Sequence, residues 1–214
     1  MDVKGPRIPS LAVLQGEGHL RQDHKPILRT VVLARPAPQQ LELFGEAFSL
    51  PKIISVGLDG IDFDLFEEII KTENIKHIID IRLSPSFLGR GFSLEVLRSL
   101  IQREGVNYEH APVFANKYVG ESWDQAKVMH KYAEYIWTQK DALAQLKEKA
   151  SAGPLLLLGR ATHHCVSGRS ILTNALTELG LWFSLRAIDN FEDTGQTLPC
   201  KDWGSLSEGS RRNG

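Results

Sequence analysis

Between residues 52 and 188 the apolar positions fall into two alternating rhythms. Short apolar or β-branched runs predict strands at Lys52–Gly57, Ile75–Ile81, Val106–Ala111, Leu155–Leu158 and Trp182–Ile188. Longer segments with one apolar face predict helices at Asp62–Thr72, Leu94–Glu104, Asp124–Trp137, Asp141–Ala150 and Ser170–Leu179. In the first helix Phe63, Phe66, Ile69 and Ile70 share a face, and in the second Leu94, Leu97, Leu100 and Ile101 form a stripe. The punctuation agrees: Ser93 stands where an N-cap belongs, Gly105 where a helix ends in the left-handed conformation, and Gly153-Pro154 before the fourth strand.

Strand–helix alternation predicts a three-layer, Rossmann-like α/β domain with a largely parallel sheet of about five strands. Outside it the pattern fades. Residues 1–50 carry Pro6, Pro9, Pro26, Pro36 and Pro38 with no sustained period, which predicts a flexible N-terminal arm ahead of a domain at 51–191. Residues 192–214 end in a Gly/Ser/Arg-rich stretch that buries too little apolar surface to offset ordering, so a frayed tail is expected. Tyr132, Tyr135 and Trp137 fit helical spacing and are read as packing.

Over 214 residues, 42% hydrophobic and 24% charged with a net charge of −1, the composition excludes a disordered or fibrous chain. It also supplies no global basic field, so nucleic-acid binding requires a local patch. The longest apolar stretch, Pro154–Leu158, cannot span a bilayer, which needs roughly 20 residues. With only Cys165 and Cys200 and no signal pattern, a cytoplasmic protein without a membrane partner is expected.

In a parallel sheet, ligands sit beyond the carboxyl ends of the strands, which selects the loops Gly57–Ile61, Arg82–Phe92, Pro112–Trp123 and Gly159–Arg169. Asp80 and Arg82 end the second strand, and Gly89-Arg90-Gly91 follows. Guanidinium forks and flexible glycines suit an anionic ligand, although Asp80 and Arg82 equally suit a structural pair. In the Gly159–Arg169 loop, Cys165 near a helix start and beside Arg169 has the setting of a thiolate nucleophile. The same loop can instead hold an anion on backbone N–H groups with Arg169 and Ser170, leaving Cys165 a small half-buried residue.

His163, His164 and Cys165 invite a zinc reading with His110, His130 or Cys200. Consecutive residues rarely converge on one ion and no Cys-x-x-Cys spacing exists, so neither metal nor cofactor is expected; one of these histidines is read as a hydrogen-bonded loop residue. After the third strand, Tyr118 or Trp123 offers a stacking surface for a base or sugar, with Lys117 placed for a phosphate; rim packing is the alternative.

The order and spacing of these loops resemble the uncharacterised bacterial family named domain of unknown function 488, over about residues 52–190. A first strand like "TIGHS" corresponds to Ile54–Leu58, "DVRxxPxSR" to Asp80–Leu88, and "GIxYxHxP" to Gly105–Pro112. The "LLCxE" strand and "CHRS" helix start align with Leu157–Ala161 and Ser167–Ser170. The resemblance carries over Asp80, Arg82, Pro85, Arg169 and Ser170. The family's Cys, Glu and Cys-His fall on Gly159, Ala161 and Ser167-Gly168, and its Ser-Arg on Phe87-Leu88.

Cys165–Ser170 with the following helix also resembles the rhodanese sulfurtransferase loop, which implies a persulfide-forming Cys165 and an assisting Arg169. The Cys-to-Arg spacing is one residue shorter than in that loop. In the arm, Gln40-Leu41-Glu42-Leu43-Phe44 resembles the bacterial sliding-clamp-binding pentapeptide, in which Gln40, Leu41, Leu43 and Phe44 would meet the clamp. Three readings follow: a domain holding a phosphorylated ligand, a nucleotide or nucleic-acid end, through Asp80, Arg82, Arg90 and Arg169; a cysteine-dependent sulfurtransferase; and a non-enzymatic adaptor recruited to a DNA sliding clamp.

Overall fold

The computed structural model describes residues 29–31 and 50–188, save 88 and 123. The predicted strands and helices are all present with small shifts at their ends. The strands are β1 (Arg29–Val31), β2 (Lys52–Gly57), β3 (His77–Asp80), β4 (Asn107–His110), β5 (Leu155–Gly159) and β6 (Ser184–Ile188). The helices are α1 (Phe63–Thr72), α2 (Leu94–Glu104), α3 (Gln125–Thr138), α4 (Lys140–Ala152) and α5 (Gly168–Glu178). Their sheet order is β1-β6-β2-β5-β3-β4. The five strands from β2 to β6 run parallel, and β1 adds a three-residue antiparallel edge to β6 inside the segment read as arm.

Helix termini follow local chemistry. The Ser93 Oγ accepts from Val96 N at 3.2 Å and Gly105 closes α2 at φ 63°. Asp62 and Asp124 cap α1 and α3 by accepting from Leu65 N and Lys127 N.

The chain travels from β2 through β3 to β4, then reverses to insert β5 between β2 and β3 and continues to β6. Opposite directions of travel place crossover helices on opposite faces of a parallel sheet. Two separate cores result. Phe66, Ile70, Leu97 and Leu100 of α1 and α2 meet Ile54, Val56, Ile78, Leu156 and Leu158 on one face. On the other, Met129, Tyr132, Leu146 and Leu172 of α3 to α5 meet Ile53, Ile79, Leu155, Leu157 and Leu185.

Central β5 is therefore apolar on both faces and wholly buried, which explains its unbroken run of four leucines. Edge strand β4 instead alternates exposed and half-buried residues. Among the described residues, no helix is long and apolar enough to cross a membrane.

Leu157 is 0% exposed at the centre of one core, so Leu157→Ala should cost about 3–4 kcal/mol through lost burial and a residual cavity. Urea unfolding measures this, and a cost below about 1 kcal/mol would contradict the central placing of β5.

Candidate functional site

At the carboxyl edge of the sheet, the loops after β2, β3, β4 and β5 enclose a cleft of about 910 Å³. It lies at the topological switch, where β5 separates β2 from β3. Arg82, Arg90, Arg160 and Arg169 all contribute to its wall. Their circumstances differ greatly.

Arg82 is turned onto Asp80, which is fully buried at the end of β3. Its Nε donates to Oδ1 at 2.8 Å, its Nη2 to Oδ2 at 2.6 Å, and its backbone N–H to Oδ1 at 3.1 Å. The Tyr108 hydroxyl adds a bond to Oδ2 at 2.7 Å. Burial and this carboxylate push the Tyr108 phenol well above its ordinary range, so it stays a donor. The guanidinium carbon stands 4.3 Å from the Phe87 ring centre, and Nη1 donates to the Ser86 carbonyl at 2.5 Å. His110 meets the Arg82 carbonyl at 2.8 Å through Nε2. The structural pairing weighed in the sequence is thus present, and Asp80 cancels most of the charge Arg82 brings.

Arg169, at the start of α5, is 0% exposed. It donates to the carbonyls of Ala161 and Thr162 through Nη2 and to Ser167 Oγ through Nε at 3.1 Å. These acceptors are neutral oxygens. The side chain crosses a pair of glycines, Gly57 and Gly159, held side by side in the β2–β5 register. A Cβ on Gly57 would lie 2.0 Å from the Ala161 carbonyl oxygen, and one on Gly159 would lie 3.1 Å from Arg169 Cδ and Nε. The glycine pair is the channel that lets a buried guanidinium brace the β5–α5 loop.

His164 stands beside that brace, between β2 and α5. It is buried, with Nδ1 2.8 Å from Ser55 Oγ and Nε2 3.5 Å from Thr173 Oγ1. It is the hydrogen-bonded loop histidine the sequence anticipated. Burial, reinforced by the Arg169 charge, pushes its imidazole down to about 3.

Arg90 and Arg160 are exposed. Arg90 sits at φ 49° between Gly89 at 85° and Gly91 at 81°, and Phe92 N bonds the Gly89 carbonyl at 2.9 Å. Two successive positive φ angles define the tight I′-type turn, which suits Asn or Gly far better than Arg. The Arg90 carbonyl accepts from Phe63 N at the start of α1. Arg160 leans on Asp59 at 3.3 Å, and its carbonyl accepts from Asp59 N. Arg160 lies within the Gly159–Arg169 loop that the sequence selects, but no motif there sets it apart as a site residue.

Other expected site residues lie elsewhere. Ser170 is buried, with its hydroxyl on the Ser167 carbonyl at 2.8 Å. Lys117 and Tyr118 do not line the cleft; Lys117 Nζ lies 3.9 Å from the Tyr135 ring centre, while their neighbours Asn116 and Val119 do line it. Cys165 is half-buried. Val166 and Ser167 line the cleft and Cys165 does not. Among the described residues no group of three His, Cys, Asp or Glu is placed to hold a metal. Trp123, Cys200 and Gln40–Phe44 lie outside the described residues.

The fold and its cleft define a three-layer α/β protein with a ligand-sized opening at the sheet's switch point. The chain belongs to the family described as Domain of unknown function DUF488, whose model matches residues 63–176, from α1 into α5. No curated protein and no solved structure matches it.

Gly57→Ala should cost about 3 kcal/mol, because the added methyl meets backbone and a braced guanidinium that cannot yield cheaply. A midpoint unchanged in urea would show that the brace is loose. For His164, an unfolded chain takes up a proton below about pH 6.5 that the folded protein refuses until about pH 3, so stability falls as pH falls through that window. His164→Gln should remove a slope of up to about 1.4 kcal/mol per pH unit, seen by comparing urea unfolding at about pH 7.5 and about pH 5. Equal slopes in parent and variant would contradict the buried neutral imidazole.

Proposed function

We propose that this protein binds a phosphorylated ligand, a nucleotide or nucleic-acid-related molecule, in the cleft at the carboxyl edge of its sheet. The observation that carries this reading is the charge of the wall. Four arginines line it, with Asp59 as the acidic member among the described lining residues. Subtracting Asp59 and the buried Asp80 leaves an excess of two positive charges, one of them the buried Arg169, in the wall of an opening large enough for a small organic anion.

The division of labour among the arginines supports it. Arg82 and Arg169 are fixed by internal acceptors and shape the wall, whereas Arg90 and Arg160 reach solvent at the rim. A guanidinium at the rim forms paired hydrogen bonds to phosphate oxygens at little cost in burial. The start of α5 reinforces the field. Its N-cap hydroxyl, Ser167 Oγ, is engaged with the His164 carbonyl and Arg169 Nε instead of the helix, and Gly168 and Arg169 form part of the wall. Arg90 also holds a backbone conformation costly for a side-chain-bearing residue, as sites of binding do. A setting in DNA metabolism rests on the Gln40–Phe44 pentapeptide alone.

Arg90→Ala and Arg160→Ala should each weaken pyrophosphate binding about three- to tenfold and lower its salt dependence, with urea midpoints unchanged because both side chains are exposed. Calorimetric titration measures this. Absence of binding by the parent protein, or full affinity in the double variant, would overturn the reading.

A further inference from the structure

The cleft is not uniform along the sheet edge. Its two solvent-facing cations are both tied through their backbone to the segment that follows β2: the Arg160 carbonyl accepts from Asp59 N and the Arg90 carbonyl from Phe63 N, the first residue of α1. On the loops that follow β3 and β4, two aliphatic side chains stand in solvent. Leu83 is 70% exposed and Val119 75%, and both line the cleft. Phe87, Phe92 and Met129 are buried residues that also reach the wall. One exposed leucine is ordinary; two aliphatic tips from different loops on one cleft form an apolar surface a ligand can cover.

We infer that the ligand is a nucleoside phosphate, its phosphate at Arg90 and Arg160 and its base against Leu83 and Val119. This rests on the phosphate-binding reading and adds to it a polarity and a second recognition element. Inorganic phosphate would satisfy the cations and leave the apolar surface wet. A base has the flat, largely apolar faces that aliphatic side chains cover, and Asn116, whose Oδ1 accepts from Tyr118 N at 3.1 Å, also lines the cleft with an amide NH2 able to donate at a base edge. The phosphorylated nucleoside has two sources, a free nucleotide or the 5′-terminal residue of a strand, and the chemistry at the cleft is the same for both.

The test is calorimetric titration of the full chain with inorganic phosphate, the four nucleoside 5′-monophosphates, the corresponding nucleosides and a 5′-phosphorylated trinucleotide. At least one monophosphate should bind about tenfold or more tightly than phosphate. The exposed-residue variants Leu83→Ser and Val119→Ser should together remove that advantage while leaving phosphate affinity as in the parent. Arg90→Ala should weaken both. A trinucleotide bound more tightly than any monophosphate identifies the strand end as the source, and the reverse order identifies the free nucleotide. Phosphate bound as tightly as every nucleotide, or a nucleotide advantage that survives both serine substitutions, overturns the inference and leaves phosphate binding standing. Failure of all these compounds to bind overturns both.

Discussion

The buried guanidinium of Arg169, laid across Gly57 and Gly159, is the constraint on which the functional end of this molecule depends. A fully buried cation is tolerated only where oxygens surround it, and here the carbonyls of Ala161 and Thr162 and the Ser167 hydroxyl do so. The same bonds fix the path of the loop from β5 to α5. Two strands that are distant in sequence must bring their terminal glycines into register for this to occur, so the sheet order itself makes the brace possible.

A second buried network, on Asp80, performs the corresponding task for the loop after β3. By holding Arg82 against Phe87 and the Ser86 carbonyl, it fixes the position from which the chain runs on toward Leu83 and the Gly89–Phe92 turn. Both networks engage arginine with internal acceptors, so in the proposed function the recognising charge falls to Arg90 and Arg160. A cleft built in this way has braced walls and an exposed cationic rim. Long exposed side chains can adjust to an anion, whereas the backbone beneath them is held by buried acceptors.

Much of the fold was legible because its signals are local. Ser93, the Leu94–Ile101 stripe and Gly105 specify α2 within a dozen residues, and the structure places cap, helix and left-handed terminus where they predict. The Leu155–Leu158 run reads as a doubly covered strand for the same reason. The three residues of β1 gave no such signal, since their strand character comes from pairing with β6 across the fold. The cleft was legible as a place more than as a set of contacts. That loops at the carboxyl ends of strands converge is a topological rule; that Arg169 faces inward is decided by Gly57 and Gly159 becoming neighbours, which no local pattern reveals. Lys117 was read for a phosphate from its residue type alone; its contact with the ring of Tyr135, on a helix further along the chain, has no local signal.

Amide chemical-shift mapping tests the central claim most directly. When a nucleoside 5′-monophosphate is added to isotopically labelled protein, the account predicts shifts confined to residues 58–63, 82–92, 116–119 and 159–169, largest around Arg90, Arg160 and Gly168. Shifts centred instead on the edge strand β4 or on helix α4, with the carboxyl edge of the sheet undisturbed, would contradict it.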